Sequence, residues 1–216
     1  MPENSNLYFK SYLKILKNRG ISSLFDEIKD NLLFDLINGT STQIREGKST
    51  DNYKHYSPAY SSLIVESIRN LNIKYKNYNF IDLGSGKGKA TLIASKFRFK
   101  KIIGVELYKK LINAAKENQK IFFSKKWNKT YRCKIEYICS DAEKYSIKID
   151  KNIYFMFDPF TEKKLKKMLK KITFQKKIVN YIIALNPPDI IKKYPELKLI
   201  KTIHRNTYSG MIFKIN

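Results

Sequence analysis

The stretch Asn79-Phe80-Ile81-Asp82-Leu83-Gly84-Ser85-Gly86-Lys87-Gly88-Lys89-Ala90-Thr91-Leu92 decides how this chain folds. Its apolar start, YNFIDL over residues 78–83, reads as a buried strand, and KATLIASKF over 89–97 reads as a helix. The turn between them carries Gly84, Gly86 and Gly88. Glycines there let the main chain bend sharply and leave bare backbone for a ligand to press against. The next acid at the end of an apolar run is Glu106, which closes Ile102-Ile103-Gly104-Val105. In a parallel sheet the second strand ends beside the first, where a carboxylate can accept both hydroxyls of a ribose.

Outward from that turn, short apolar runs alternate with helical ones. Strands are predicted at 101–107, 134–140, 153–160 and 178–185, and helices at 108–123 and 162–172. That alternation means a mostly parallel sheet with right-handed crossovers and helices on both faces. The tail differs. LKLIKTIH (197–204) and TYSGMIFKIN (207–216) are two strands with only Arg205 and Asn206 between them. So short a link forces an antiparallel hairpin. The expectation is an α/β, doubly wound, seven-stranded sheet finished by an antiparallel C-terminal hairpin.

Residues 1–52 read as a helical N-terminal extension and loop, and 53–216 as the main domain. LYFKSYLKILKNRG and ISSLFDEIKDNLLFDLI are amphipathic, while NGTSTQIREGKSTDN (38–52) is polar and glycine-bearing. SPAYSSLIVESIRNL restarts a helix, with Pro58 expected in its first turn.

Two ligand classes share the strand–glycine turn–helix geometry. The nicotinamide fingerprint needs G-x-G-x-x-G, and here G-S-G-K-G brings the third glycine one position early. Asp82, two residues before the first glycine, suits a ligand with a cationic end and no pyrophosphate. S-adenosylmethionine, with an ammonium and a sulfonium, meets that description.

DLGSGKGKATLIAS, IIGVEL, CSDAEKY and FMFDPF, in this order and spacing, resemble the class I S-adenosylmethionine-dependent methyltransferases. The resemblance covers about residues 53–216. FDLINGTSTQ and HYSPAY look like the lead-in of a bacterial branch of largely unassigned acceptor, and DLGSGKG with GVEL is similar to the seven-strand protein-lysine methyltransferases. The resemblance implies S-adenosyl-L-methionine as cofactor. It places Asp82 near the methionine amine, Gly84, Ser85, Gly86 and Gly88 under methionine and sugar, and Glu106 on the ribose. Leu107 would pack on the adenine, with Asp141 and the Ala142 N–H at its edge. Asp141 in Ser-Asp-Ala-Glu also reads as a helix N-cap, a role compatible with the first.

Asp158-Pro159-Phe160 closes the fourth predicted strand, the edge that faces the methyl group in this family. Asp158 is the candidate catalytic residue; Tyr56, Pro159 and Phe160 are candidates for the acceptor pocket. The motif is similar to the Asn/Asp-Pro-Pro-aromatic signature of methyltransferases acting on planar amines, but its second proline is missing. Asn186-Pro187-Pro188-Asp189 follows the fifth strand and reads as a turn, with a place on the rim of the acceptor site as the alternative. The acceptor is a nitrogen or oxygen nucleophile: a protein lysine, a small molecule or glycan, or nucleic acid. A different class, a nucleic-acid-binding module that keeps the fold without turnover, competes with the enzyme.

Composition narrows the rest. The 216 residues carry 43 Lys+Arg against 19 Asp+Glu, a net charge of +24. Few of these cations are arginine, whose fork suits phosphate better than lysine does, so the charge reads as compositional. The lysines of residues 163–171 read as a solvated helix face. No apolar run is long enough to span a membrane. The first residues lack the order of a secretory signal, and two cysteines, Cys133 and Cys139, make no disulfide framework. The expected home is the cytoplasm. His55 and His204 have no partner spacing that suggests a metal.

Overall fold

The structure, a computed structural model, describes residues 13, 16–17, 20–21, 24–25, 28–43, 57–131, 134–174, 178–205 and 208–216. Seven strands form one sheet: β1 (Asn79–Leu83), β2 (Lys101–Glu106), β3 (Ile135–Cys139), β4 (Asn152–Phe157), β5 (Tyr181–Leu185), β6 (Leu197–Arg205) and β7 (Tyr208–Ile215). Their order is β3-β2-β1-β4-β5-β7-β6. The first five run parallel; β7 lies antiparallel between β5 and β6. The predicted hairpin therefore closes the sheet as expected.

Helices α1 (Leu33–Asn38), α2 (Ser61–Arg69), α3 (Lys89–Ala94), α4 (Lys109–Ser124), α5 (Glu162–Thr173) and α6 (Asp189–Lys192) complete the described domain. Successive strand residues point to opposite faces, so both faces need cover. Phe80, Ile102, Ile153, Phe155 and Ile183 face one way and pack with α2, α3 and α4. Ile81, Ile103, Tyr154, Met156 and Ile182 face the other and pack with Leu165, Met168 and Ile172 of α5 and Ile191 of α6.

Two boundaries differ from the sequence reading for local reasons. Strand β4 stops at Phe157 rather than 160 because Asp158 takes φ 42°, and Pro159 has no N–H to pair. Helix α2 starts at Ser61, not near Pro58. Its N-terminus is held by Asp30: Ser62 donates through N (3.0 Å) and Oγ (2.6 Å) to the carboxylate, and Ser61 Oγ donates to the Asp30 carbonyl (2.6 Å). An acid at a helix N-terminus satisfies free N–H groups and the positive end of the dipole.

In the N-terminal extension the described residues Leu13, Leu16, Gly20, Ile21, Leu24 and Phe25 are helical, and a π-helical turn at Ile28–Leu32 runs into α1. No helix among the described residues is long and apolar enough to cross a membrane. The N-terminal edge of the sheet is closed by asparagines. Asn79 Nδ2 donates to Asn152 Oδ1 (3.0 Å), and Asn152 N donates to Asn180 Oδ1 (2.7 Å). The opposite, C-terminal edge carries the glycine turn.

Candidate functional site

The turn after β1 is held by the neighbouring strand. Gly84 N and Ser85 N both donate to the Val105 carbonyl, at 2.9 and 3.0 Å. Gly88 N donates to Ser85 O at 2.8 Å, and Gly88 O accepts from Leu92 N as α3 begins. Gly84 (φ 92°), Gly86 (φ 51°) and Gly88 (φ 85°) all sit in the left-handed region, which explains why the turn needs three glycines.

The register aligns Asp82 with Gly104 and Leu83 with Val105. Counting by twos from Phe80 and Ile102, which share a face, puts Asp82 and Glu106 on that same face. Glu106 turns into the glycine loop: its Oε2 accepts from Gly86 N (2.9 Å), and its Oε1 from Tyr108 N (3.0 Å). Burial raises its pKa, and those backbone N–H groups oppose the rise. Asp82 is buried at 3% exposure. Burial first, and the Glu106 charge second, push its pKa well above the ordinary carboxylate range. Two buried carboxyl groups on one face suit a ligand with a cationic end.

The other expected residues distribute as follows. Ser85 turns its side chain inward onto Gly104, where a Cβ would meet the Ser85 hydroxyl oxygen at 2.8 Å. With its N–H on the Val105 carbonyl and its own carbonyl on Gly88 N, Ser85 serves chiefly to hold the turn. Leu107 is half-buried just beyond β2. Asp141 and Ala142 follow β3, which the Glu106–Cys139 register brings alongside. Asp141 caps the next turn, with Oδ1 accepting from Glu143 N at 2.8 Å. Its other oxygen is 2.6 Å from Nζ of Lys164, a lysine of α5 at 5% exposure. Asp141 thus caps a turn where a helix was expected, and its second oxygen already has a cation.

Asp158, Pro159 and Phe160 follow β4, next to β1. Pro159 packs directly on Gly84, so the two strand-end turns touch. Phe160 is buried at 2% exposure with the α5–α6 layer and lines a small cleft with Pro159, Pro187 and Pro188. Asn186, after β5, matches Asp158 in its left-handed φ of 48°, and α6 starts at Asp189. Tyr56 and His55 lie outside the described residues. His204 is exposed. Among the described residues no three His, Cys, Asp or Glu side chains gather where a metal could sit.

Sequence reading missed the way the N-terminal segment reaches this turn. Asp35 binds Thr40 Oγ1 (2.6 Å), Thr42 N (2.7 Å) and Thr42 Oγ1 (2.9 Å), folding residues 40–42 into a buried knot instead of an open loop. Asn118 of α4 then bridges it to the glycine turn: its Oδ1 accepts from Ser41 N at 2.8 Å, and its Nδ2 donates to the Lys87 carbonyl at 3.1 Å. The signal was present, since Asn118 falls on the apolar stripe of Leu111, Ala115 and Phe122.

Solved structures share this fold. An RNA methyltransferase from Salinibacter ruber in complex with S-adenosyl-L-homocysteine superposes with TM-score 0.56 at 12% identity, over 73% of this chain and 93% of that one. A Pyrococcus horikoshii protein proposed to be an RNA methyltransferase gives 0.59 at 16% identity, over 86% and 98%. The ribosomal protein L11 methylase of Lactobacillus delbrueckii subsp. bulgaricus gives 0.54 at 13% identity, over 72% and 78%. Likeness at such identity speaks for the fold. No curated protein matches the chain significantly. Residues 40–203, from the Asp35-bound knot to the last strand pair, match the sequence model described as histone methylation protein DOT1, and the chain belongs to that family of S-adenosylmethionine-dependent methyltransferases.

Proposed function

We propose that this protein moves a methyl group from S-adenosyl-L-methionine to the side-chain nitrogen of a protein lysine. The observation that supports it best is the contact of Pro159 with Gly84, which sets a cofactor-shaped turn and an acid-bearing turn side by side. The donor set fits the cofactor: two buried carboxylates with raised pKa values suit a ligand carrying positive charge. When bound, the cofactor supplies a methyl on a sulfonium, an excellent leaving group.

The chain's own residues have the remaining tasks. Glu106 accepts the ribose hydroxyls while keeping its bonds to Gly86 and Tyr108. Asp82 faces the ammonium, and the Gly84–Gly88 main chain lies under the methionine. Leu107 and Ala142 bracket the adenine, with the Asp141 turn at its edge. Asp158 orients the acceptor amine at the lip of the glycine turn. A free lysine amine has a pKa of about 10.4, so it must lose a proton before it can attack. The Asp158 carboxylate takes part in passing that proton to water.

The test is incubation of purified protein with tritiated cofactor and a lysate, followed by fractionation. Label in acid-stable, protein-bound methyllysine is the expected result. Label confined to RNA, DNA or small molecules overturns the acceptor; no label and no cofactor binding overturns the enzyme.

A further inference from the structure

A groove of about 890 Å³ runs between α5 and α6. It meets the candidate acceptor edge through Pro188, which also lines the small cleft shared by Asp158 and Phe160. Its base is made by the half-buried Pro188, Ile190 and Tyr194, and its rim by the exposed Lys166, Lys170 and Lys193. Two carboxylates also border it, each paired with a lysine: Glu162 with Lys166 at 3.3 Å, and Asp189 with Lys192 at 2.8 Å.

The mixture selects among partners. The apolar base of Pro188, Ile190 and Tyr194 suits side chains, and Glu162 and Asp189 are already neutralised by Lys166 and Lys192. Lysines grip phosphate as point charges, without arginine's two-pronged geometry. An extended peptide alternates its side chains, so apolar ones can lie on Ile190 and Tyr194 while acidic ones reach the lysine rim. A basic peptide would meet a molecule of net charge +24 and be repelled.

We infer that the α5–α6 groove binds an acidic, apolar-alternating segment of the acceptor protein, flanking the lysine delivered to Asp158. This rests on the protein-lysine reading above and adds the chemistry of the flanking sequence. The lysine face of α5, legible in the sequence only as a solvated surface, becomes part of substrate selection.

The experiment measures fluorescence anisotropy with a labelled peptide of alternating Glu and Leu around one central lysine. Its counterpart has Lys in place of Glu, and an RNA oligonucleotide is the competitor. Proteins are wild type, the triple reversal Lys166→Glu, Lys170→Glu, Lys193→Glu, and a control with Lys74→Glu, Lys116→Glu, Lys126→Glu. The control carries the same change in net charge at exposed sites outside the groove. The acidic peptide should bind wild type and control alike, and the groove variant about tenfold or more weakly, with cofactor affinity unchanged. The preference should shrink with added salt.

Equal binding by all three proteins, stronger binding of the basic peptide, or displacement by RNA with loss in the groove variant overturns the proposal. Methyl transfer is read separately on the same peptide. A peptide that binds in the groove and takes no methyl from cofactor-bound protein overturns the protein-lysine reading and leaves the groove assignment standing.

Discussion

Pro159 occupies the space that any side chain at Gly84 would need: a Cβ at residue 84 would lie 2.6 Å from the Pro159 Cβ. The turn after β1 and the turn after β4 are thus in van der Waals contact, and the glycine is required by packing as well as by its φ of 92°.

Gly84→Ala should therefore lose stability on both counts. The left-handed backbone and the overlap with proline together cost about 3 kcal/mol. In a chain of this size that lowers Tm by roughly 6–12 °C. Pro159→Gly removes the clashing atoms, so a double-mutant cycle should show a favourable coupling of about 1 kcal/mol. Strict additivity in calorimetry would mean the two turns do not touch.

Glu106→Ala should weaken cofactor binding about a hundredfold, the worth of two charge-assisted hydrogen bonds. It also strands Gly86 N–H and Tyr108 N–H, so Glu106→Gln is the cleaner variant. Its amide oxygen can keep one backbone bond while the charge is lost. Isothermal titration with S-adenosylmethionine should rank wild type above Gln above Ala. An unchanged affinity in both variants would remove the ribose role.

Asp82→Asn should separate stability from function. Burial and Glu106 raise the Asp82 pKa from its usual 3.8, so the native state holds that proton longer than the unfolded chain does. Stability from this group is full below the unfolded value and is lost as pH rises through the folded one. The variant should thus match wild type in acid and gain on it towards neutral pH, while binding cofactor more weakly. Chemical denaturation across that range tests the sign. A stability difference that shrinks as pH rises would contradict it.

Asn118→Ala should free the N-terminal knot from the glycine turn. Ser41 N–H loses its acceptor and the Lys87 carbonyl its donor, for about 2 kcal/mol. Hydrogen exchange at Ser41 should quicken more than exchange at β1. Uniform change across the domain would show only general destabilisation.

The Asp141–Lys164 pair should respond asymmetrically. Asp141→Ala takes the 2.6 Å partner from a nearly buried cation, with Glu143 at 3.4 Å, and should cost about 3 kcal/mol. Lys164→Met fills the same space without charge, and the partly exposed Asp141 keeps its bond from Glu143 N, so the loss should be smaller. Urea denaturation of the two variants decides, and a larger loss for Lys164→Met would reverse the assignment.

Much of the site could be read from the order of residues. Alternation by twos places Asp82 and Glu106 on one face once β1 and β2 are recognised as parallel neighbours. The glycine spacing needs no tertiary information, because a strand that must turn straight into a helix demands left-handed φ values locally. The two-residue link after Arg205 likewise forces an antiparallel end to the sheet. The burial of Phe160 against Leu165 and Ile191 was not legible, because those neighbours come from helices whose packing the motif does not encode.

The sequence by itself therefore determined the sheet, its glycine turn and the acid beside it, since each depends on conformational limits acting over a few residues. The tertiary structure alone decided that Asp30 caps α2, that Asn118 ties Ser41 to Lys87, that Lys164 takes one oxygen of Asp141 and that Pro159 rests on Gly84. These partners lie far apart along the chain, and short-range hydrogen bonds and van der Waals contacts select among them only after the strands have been brought into register.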